Sequence, residues 1–235
     1  MRSIWRTLDR DKFDAGLLRD VAAVALGAAV TGASFGAIAV GSGLPWWLPV
    51  LMSLLIFAGG SQFMAVGIVA AGGSPAAAVL AGLVLNARHL PFGLAVGDVL
   101  GKNPLARVVG SHLLIDESTA FAMSQKDPAR ARAAYWACGV SLFFCWNVAV
   151  LVGALAGQAI GDTAAFGLDA AFPAAMLTLP ALKDAATRNA ALVGAVIALA
   201  TTPFLPAGVP VLLALVGLFA FRATKKEEPC PSPQS

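Results

Sequence analysis

Long apolar runs, most of them about as long as a membrane-spanning helix, are separated along this chain by short polar connections. Apolar residues are continuous within each run, which favours helices over the alternating strands of a membrane barrel. Helices also satisfy their own backbone hydrogen bonds where no water is available. We therefore predict an all-α, polytopic membrane bundle of about seven or eight segments, some of them discontinuous or kinked. The segments are Leu17–Val40, Trp46–Ala71, Pro75–Val96, Leu105–Gln125, Ala133–Ala156, Phe166–Leu182 and two within residues 189–222.

The composition supports the same class. Hydrophobic residues make up 58% of the 235 residues and charged residues 12%, whereas a soluble domain carries about 25% charged residues. The mean hydropathy is +0.79. So few polar side chains could not cover a water-soluble fold, and we predict that the chain lies in a lipid bilayer and binds no nucleic acid.

The distribution of lysine and arginine sets the expected orientation. We predict a cytosolic arm over residues 1–16, a membrane permease domain over 17–222 and a disordered cytosolic tail over 223–235. With eight full spans, both termini lie in the cytoplasm and the chain lies in the cell inner membrane. One connection disagrees, because residues 97–104 carry Lys102 and would then lie outside. A re-entrant fourth segment would change this assignment.

An arginine–histidine pair, Arg88–His89, lies within the third segment. A charge at mid-bilayer costs about 2.5–3.5 kcal/mol, so such a residue usually lines a cavity or has a partner. Pro91 predicts a break at 87–91 that frees the carbonyl of Ala87 and turns Arg88 inward beside Asn86. The alternative is that Arg88 extends to the membrane interface.

The second segment contains Gly59, Gly60, Ser61 and Gln62 near its middle. Two adjacent glycines weaken a helix by about 1 kcal/mol each, which predicts a discontinuous helix whose free backbone groups bind substrate. Alternatively, small residues seven apart (Ser53, Gly60 and Gly67) pack against a neighbouring helix. Both interpretations can hold.

The fourth segment carries three polar residues on one helical face, His112, Asp116 and Thr119, with Glu117 about 100° away. Carboxyl groups at membrane depth can take up and release protons, and a nearby histidine can relay them. We predict Asp116, Glu117 and His112 as proton-coupling residues. The alternative is an amphipathic surface helix. In the fifth segment, Asn147 is predicted to bond across helices.

Motifs of the common enzyme classes are missing from the sequence. It contains no G-x-x-x-x-G-K-[ST] phosphate loop and no G-x-S-x-G nucleophile turn. The two histidines are far apart and neither has a cysteine nearby, which argues against a metal site. We predict no enzymatic activity, no catalytic residues, no metal and no cofactor.

Several local strings, in this order, resemble the AzlC-type branched-chain amino acid permease family, over about residues 17–222. The most specific is Phe57-Ala58-Gly59-Gly60-Ser61-Gln62-Phe63 followed by Asn86-Ala87-Arg88-His89. The other strings are Ala33-Ser34-Phe35-Gly36-Ala37, Ile115-Asp116-Glu117-Ser118-Thr119-Ala120-Phe121-Ala122, Gly167-Leu168-Asp169-Ala170-Ala171-Phe172-Pro173-Ala174 and Pro180-Ala181-Leu182-Lys183.

The resemblance implies an inner-membrane exporter of hydrophobic amino acids that works with a small hydrophobic AzlD-type subunit. On physical grounds, the substrate carboxylate suits Arg88 with Asn86, because guanidinium binds carboxylate bidentately. The ammonium group suits Asp116, Glu117 or carbonyls freed near Gly59–Gly60. The candidates for contact with the apolar tail are Phe35, Phe57 and Phe63. The alternative is a non-transporting assembly subunit whose buried polar residues are structural.

Overall fold

The computed structural model describes residues 15–160, 184–206 and 209–217, which form helices and no strands. The predicted all-helical bundle is therefore confirmed. The sixth segment, most of the N-terminal arm and the C-terminal tail lie outside the described residues. The helices are α1 (Ala15–Gly41), α2 (Trp47–Leu55), α3 (Gly59–Ala70), α4 (Pro75–Asn86), α5 (His89–Val96), α6 (Pro104–His112), α7 (Asp116–Met123), α8 (Pro128–Ile160), α9 (Ala185–Thr201) and α10 (Val209–Leu213).

Three helical stretches in the described part of the chain are long and apolar enough to cross a membrane. They are Ala15–Gly41, Pro75–Val96 and Pro128–Ala159, which correspond to the predicted first, third and fifth segments. The second and fourth segments are each divided into two half-helices, α2–α3 and α6–α7.

The long helices α1 and α8 are packed backbone to backbone. Gly32 lies beside Trp146 and Ala37 beside Gly157, so the two helices run parallel. A Cβ added at Gly36 would lie 2.6 Å from the backbone nitrogen of Ala154. Small residues four apart allow this approach. They are Gly32, Ala33, Gly36 and Ala37 on α1, and Gly153 and Gly157 on α8.

The turn between α4 and α5 differs from the one predicted. Pro91 lies in the first turn of α5. N–H groups in the first turn have no acceptor within their own helix, so proline is tolerated there. The carbonyl of Ala87 accepts a hydrogen bond from the N–H of Leu90 at 3.1 Å. The prediction that Pro91 frees this carbonyl is therefore wrong. Since Ala87 and Arg88 keep helical dihedral angles, α4 and α5 continue in one direction.

The hairpin α6–α7 enters and leaves the bundle at the end where α8 begins. Gly101, just before α6, packs against the guanidinium of Arg132, and Leu113 at the tip packs on Gly139. After α7, Gln125 shares a small pocket with Arg130 and the start of α1. We call this end, where α1 and α8 start, the inner end. The hairpin is re-entrant, since it returns to the end from which it came.

The hairpin α2–α3 is re-entrant from the opposite, outer end. It follows the end of α1 and descends along α8, with the ring of Phe57 5.2 Å from that of Phe143. α3 then runs antiparallel to α4, because Ser61 meets Asn86 while Ile68 packs against Ala78. α4–α5 leads to the inner end, so α3 ends at the outer end.

This topology corrects the predicted position of residues 97–104. They lie at the inner end and not at the outer one, because Gly101 touches Arg132. Only α4–α5 runs from one end to the other between α1 and α8. The inner end therefore collects the basic residues Arg19, Lys102, Arg107, Lys126, Arg130 and Arg132, and the charge disagreement noted in the sequence disappears.

Polar and small residues in α2 and α3 have separate roles. The predicted cross-helix bond of Asn147 is confirmed, since its Oδ1 accepts a hydrogen bond from the hydroxyl of Ser53 at 2.6 Å. The predicted stripe through Ser53, Gly60 and Gly67 is wrong as a single packing face. The helix is interrupted at 56–58, and a Cβ at Gly67 would meet nothing within 4 Å.

The re-entrant topology predicts which membrane face each connection occupies. Single cysteines at Lys102 and Lys126, in a chain whose native cysteines are replaced, should react with a membrane-impermeant thiol reagent from the same face. A cysteine at Gly43, in the α1–α2 turn, should react from the other. The measurement compares right-side-out with inside-out vesicles. Opposite labelling of positions 102 and 126 would restore a full fourth span.

The α1–α8 contact predicts a large difference between two glycine substitutions on the same helix. Gly36→Ala places a methyl group against the α8 backbone and should destabilise the protein by about 1–3 kcal/mol. Gly27→Ala meets no atom within 4 Å and should stabilise it by about 0.5–1 kcal/mol. Thermal unfolding in detergent compares the two, and equal unfolding temperatures would contradict close packing at Gly36.

Candidate substrate cavity

A cavity of about 1260 Å³ lies where the tips of both hairpins approach the α4–α5 turn. Its polar side chains are Arg88, His89, Asp116, Glu117, Thr31 and Thr202. The remaining wall is mostly apolar. Its larger members are Val24, Phe57, Phe63, Met64, Ile68, Leu85, Ile115, Leu142, Trp146 and Leu205. Two half-helices and a helical turn thus bring charged groups to one apolar-walled space.

An ion pair joins the α4–α5 turn to the start of α7. Arg88 Nε lies 3.1 Å from Asp116 Oδ1, and the two side chains are 35% and 49% exposed. The Nε–H is not aligned for a hydrogen bond with that oxygen, so the contact is electrostatic. Arg88 therefore lines the cavity, in agreement with its predicted inward turn. Its depth in a bilayer stays a prediction.

Glu117 faces the same cavity as Asp116 but makes no ion pair within the described residues. Both carboxylates lie in the first turn of α7, where the free N–H groups of the helix start favour negative charge. His89 is held by Asn86, whose carbonyl lies 3.0 Å from the histidine Nδ1. The cavity therefore has one paired and one available carboxylate.

The start of α3 also borders the cavity, through Gly59 and Gly60. A Cβ at Gly59 would lie 2.7 Å from the indole of Trp146, so only glycine fits there without a shift. The first N–H groups of a helix have no intrahelical partner and form a site for anions. The carbonyl of Ile56 at the break is already bound, since it accepts a hydrogen bond from Gln62 Nε2 at 2.7 Å.

Five predicted site residues do not line the cavity. Asn86 donates to the hydroxyl of Ser61 at 3.2 Å, which ties α4 to α3. Gln62 binds the α2–α3 break, and Phe35 is fully buried against Phe63 and Trp146. His112 lies edge-on to Phe143, with ring centroids 5.6 Å apart.

The predicted shared face of His112, Asp116 and Thr119 is wrong, because residues 113–115 interrupt that helix. His112 ends α6, and Asp116 begins α7. The predicted transport roles of the site residues stay predictions.

Sequence reasoning missed the contribution of α1 and of Trp146 to the cavity. Trp146 is 6% exposed, and its indole N–H has no hydrogen-bond partner in the described part of the chain. Its position next to Asn147, deep in a long apolar segment, was the available signal. Gly27 and Ala28 of α1 also line the cavity. The sequence gives no signal for them, because they resemble the small and apolar residues around them.

The described residues bring no group of three or more histidine, cysteine, aspartate or glutamate side chains together in a way that could hold a metal ion. The nearest approach to such a group is the pair of adjacent carboxylates at Asp116 and Glu117. The site can bind charged and apolar parts of one small molecule.

A helical membrane bundle with half-helices around a charged cavity defines the general class of this chain. The family model described as AzlC protein matches residues 23–160, more than half of the chain. The chain belongs to the AzlC family, and the resemblance seen in the sequence is confirmed.

Three curated relatives match parts of the chain, and one of them carries the AzlC name. A Bacillus subtilis protein named branched-chain amino acid transport protein AzlC is 29% identical over 115 residues, which cover 47% of this chain and 44% of that protein. Uncharacterized membrane proteins of Haemophilus influenzae and Helicobacter pylori are 28% and 27% identical, covering 58% and 57% of this chain and 56% and 60% of theirs. The matched part thus spans about half the length of these relatives. No solved structure matches the chain.

Proposed function

We propose that this protein is a secondary transporter that exports branched-chain or other hydrophobic amino acids across the inner membrane. The observation that carries the proposal is the cavity itself, which combines charges of both signs with apolar walls. A zwitterion with an apolar tail needs these three surfaces together. The relative named for branched-chain amino acid transport supports the substrate class.

The substrate carboxylate is proposed to bind at the start of α3, beside Gly59 and Gly60, and to accept a hydrogen bond from the guanidinium of Arg88. Half-helix starts serve this purpose in other transporters. The ammonium group is proposed to bind Glu117. This division differs from the one based on sequence, because Asp116 is engaged with Arg88 and Asn86 with Ser61.

Two further parts of the proposal concern the surroundings of the bundle. The basic inner end is proposed to face the cytoplasm, with both termini on that side. A small hydrophobic AzlD-type membrane subunit is proposed as the partner. Each is independent of how the cavity binds its substrate.

The second candidate is a non-transporting assembly subunit. The bond between Ser53 and Asn147 favours it, because this contact joins helices and does not face the cavity. The Arg88–Asp116 pair also joins two elements. Substitutions that abolish transport while leaving the complex intact would argue against this candidate.

Arg88→Lys tests the carboxylate role. Lysine keeps the charge but loses the planar fork, so leucine efflux from loaded vesicles should fall about tenfold, the factor for one charge-assisted hydrogen bond. The control is Arg107→Lys on the exposed side of α6, which should retain full efflux. Full efflux by Arg88→Lys would remove Arg88 from carboxylate binding. Reduced recovery of the complex with its small subunit would favour the assembly role.

Glu117→Gln tests coupling to protons. The wild-type protein should export leucine faster when a proton gradient is directed inward, because Glu117 is proposed to carry the proton. The variant should lose this dependence. Without a gradient it should exchange leucine more weakly than the wild type, because it also lacks the carboxylate proposed to bind the ammonium group. Asp116→Asn should impair both activities, since Asp116 holds Arg88. A gradient response that persists in Glu117→Gln would exclude this residue as the carrier.

A further inference from the structure

The tips of the two re-entrant hairpins are built in the same way. In each, a buried serine at the third position of the second half-helix approaches the carbonyl just before that helix. The hydroxyl of Ser61 donates to Ala58 at 2.9 Å, and that of Ser118 lies 3.1 Å from the carbonyl of Ile115. These bonds lie within one hairpin and hold each tip together internally, and Asn86 also ties the outer tip to α4.

The two halves of the inner hairpin differ in their contact with α8. α7 packs on it through buried residues, whereas α6 contacts it little. Gly110 is the buried residue of α6, whereas Leu105 and Val108 are 62% and 69% exposed. One polar contact fixes α6 to α8, where the hydroxyl of the fully buried Tyr135 donates to the carbonyl of Gly110 at 2.7 Å. At the tip, Leu113 packs against Gly139, which has no side chain to interlock with it.

The outer hairpin is fixed to the same helix in a comparable way. The hydroxyl of Ser53, fully buried, donates to Asn147 at 2.6 Å. Asn147 is oriented by its own bond to the carbonyl of Phe143 at 2.8 Å. In the described part of the chain, each hairpin is thus joined to α8 by one side-chain hydroxyl hydrogen bond in addition to its packing. One bond lies nearer the inner end and the other nearer the outer end.

We propose that Tyr135 and Ser53 are positioning residues that latch the α6–α7 and α2–α3 hairpins, and that alternate release of the latches opens the cavity to one membrane face at a time. α1 and α8 are the fixed part, because their backbones are in direct contact. In this structure α7 forms the inner wall of the cavity, which extends along α3 to Ala71. The inference deepens the proposed transport function and rests on it, because alternate opening serves transport. Its test measures cysteine labelling and needs no transported substrate.

The test uses a single reporter cysteine at Gly27, in the full-length chain with its native cysteines replaced. A Cβ at Gly27 meets no atom within 4 Å, and the residue lines the cavity on the fixed helix α1. An impermeant thiol reagent is applied to right-side-out and inside-out vesicles, without amino acid. Tyr135→Phe removes one hydroxyl and should raise the ratio of inner-face to outer-face labelling about fivefold, the factor for one lost hydrogen bond.

Ser53→Ala removes the matching hydroxyl at the other hairpin and should lower the same ratio. Ser42→Ala, which removes an exposed hydroxyl outside both hairpins, should leave it unchanged. Gly139→Ala is a second route, because its methyl group would lie 3.2 Å from Leu113 and displace the inner tip, raising the ratio. An unchanged ratio in Tyr135→Phe and Gly139→Ala, or a shift in the same direction for Tyr135→Phe and Ser53→Ala, would overturn the proposal. If the labelling shifts as expected but leucine is not transported, the latches stand and the substrate assignment fails.

Discussion

A guanidinium group at membrane depth is the constraint on which the rest of this structure depends. Because an unpaired charge in hydrocarbon costs several kcal/mol, Arg88 needs both a counter-charge and a polar space. Asp116 supplies the first at 3.1 Å, and the cavity supplies the second. Irregular backbone at this depth is tolerated where it is buried in protein or lines such a space. The two breaks in the hairpins and the α4–α5 turn therefore occur at the same depth as the charge.

Rigid and adjustable contacts are distributed unevenly around this cavity. The α1–α8 pair is joined through glycine and alanine over several turns. The close approach of the two backbones gives many small dispersion contacts that add up along the helices. The hairpins instead contact α8 through side chains, including the ring contacts of Phe57 and His112 with Phe143 and one hydroxyl hydrogen bond each in the described residues. In a membrane no hydrophobic force drives helices together, so packing governs their association. The proposed latches rest on this difference in packing.

Local features of the fold could be read from the sequence, whereas its topology could not. The bounds of α1 and of the α4–α5 stretch agree with the apolar runs, and Gly59–Gly60 marked a real break. Arg88, Asp116 and Glu117 were found because charge at depth is conspicuous. Asn86, Gln62 and His112 do not line the cavity. A polar side chain in an apolar run can bond to a neighbouring side chain, backbone or ring as well as to a ligand. Hydropathy alone does not distinguish a half-helix pair from one full span of equal length.

The distribution of basic residues resolves that ambiguity once contacts are known. With a full fourth span, Lys102 and Arg107 would lie opposite to Arg130, against the usual bias of cytoplasmic connections. The contact between Gly101 and Arg132 removes this conflict without moving any other described basic residue. The same contact requires α6 and α7 to return to the inner end, which places the start of α7 at the depth of Arg88. The charge pattern and the ion pair therefore have a common cause in the re-entrant path of residues 104–123.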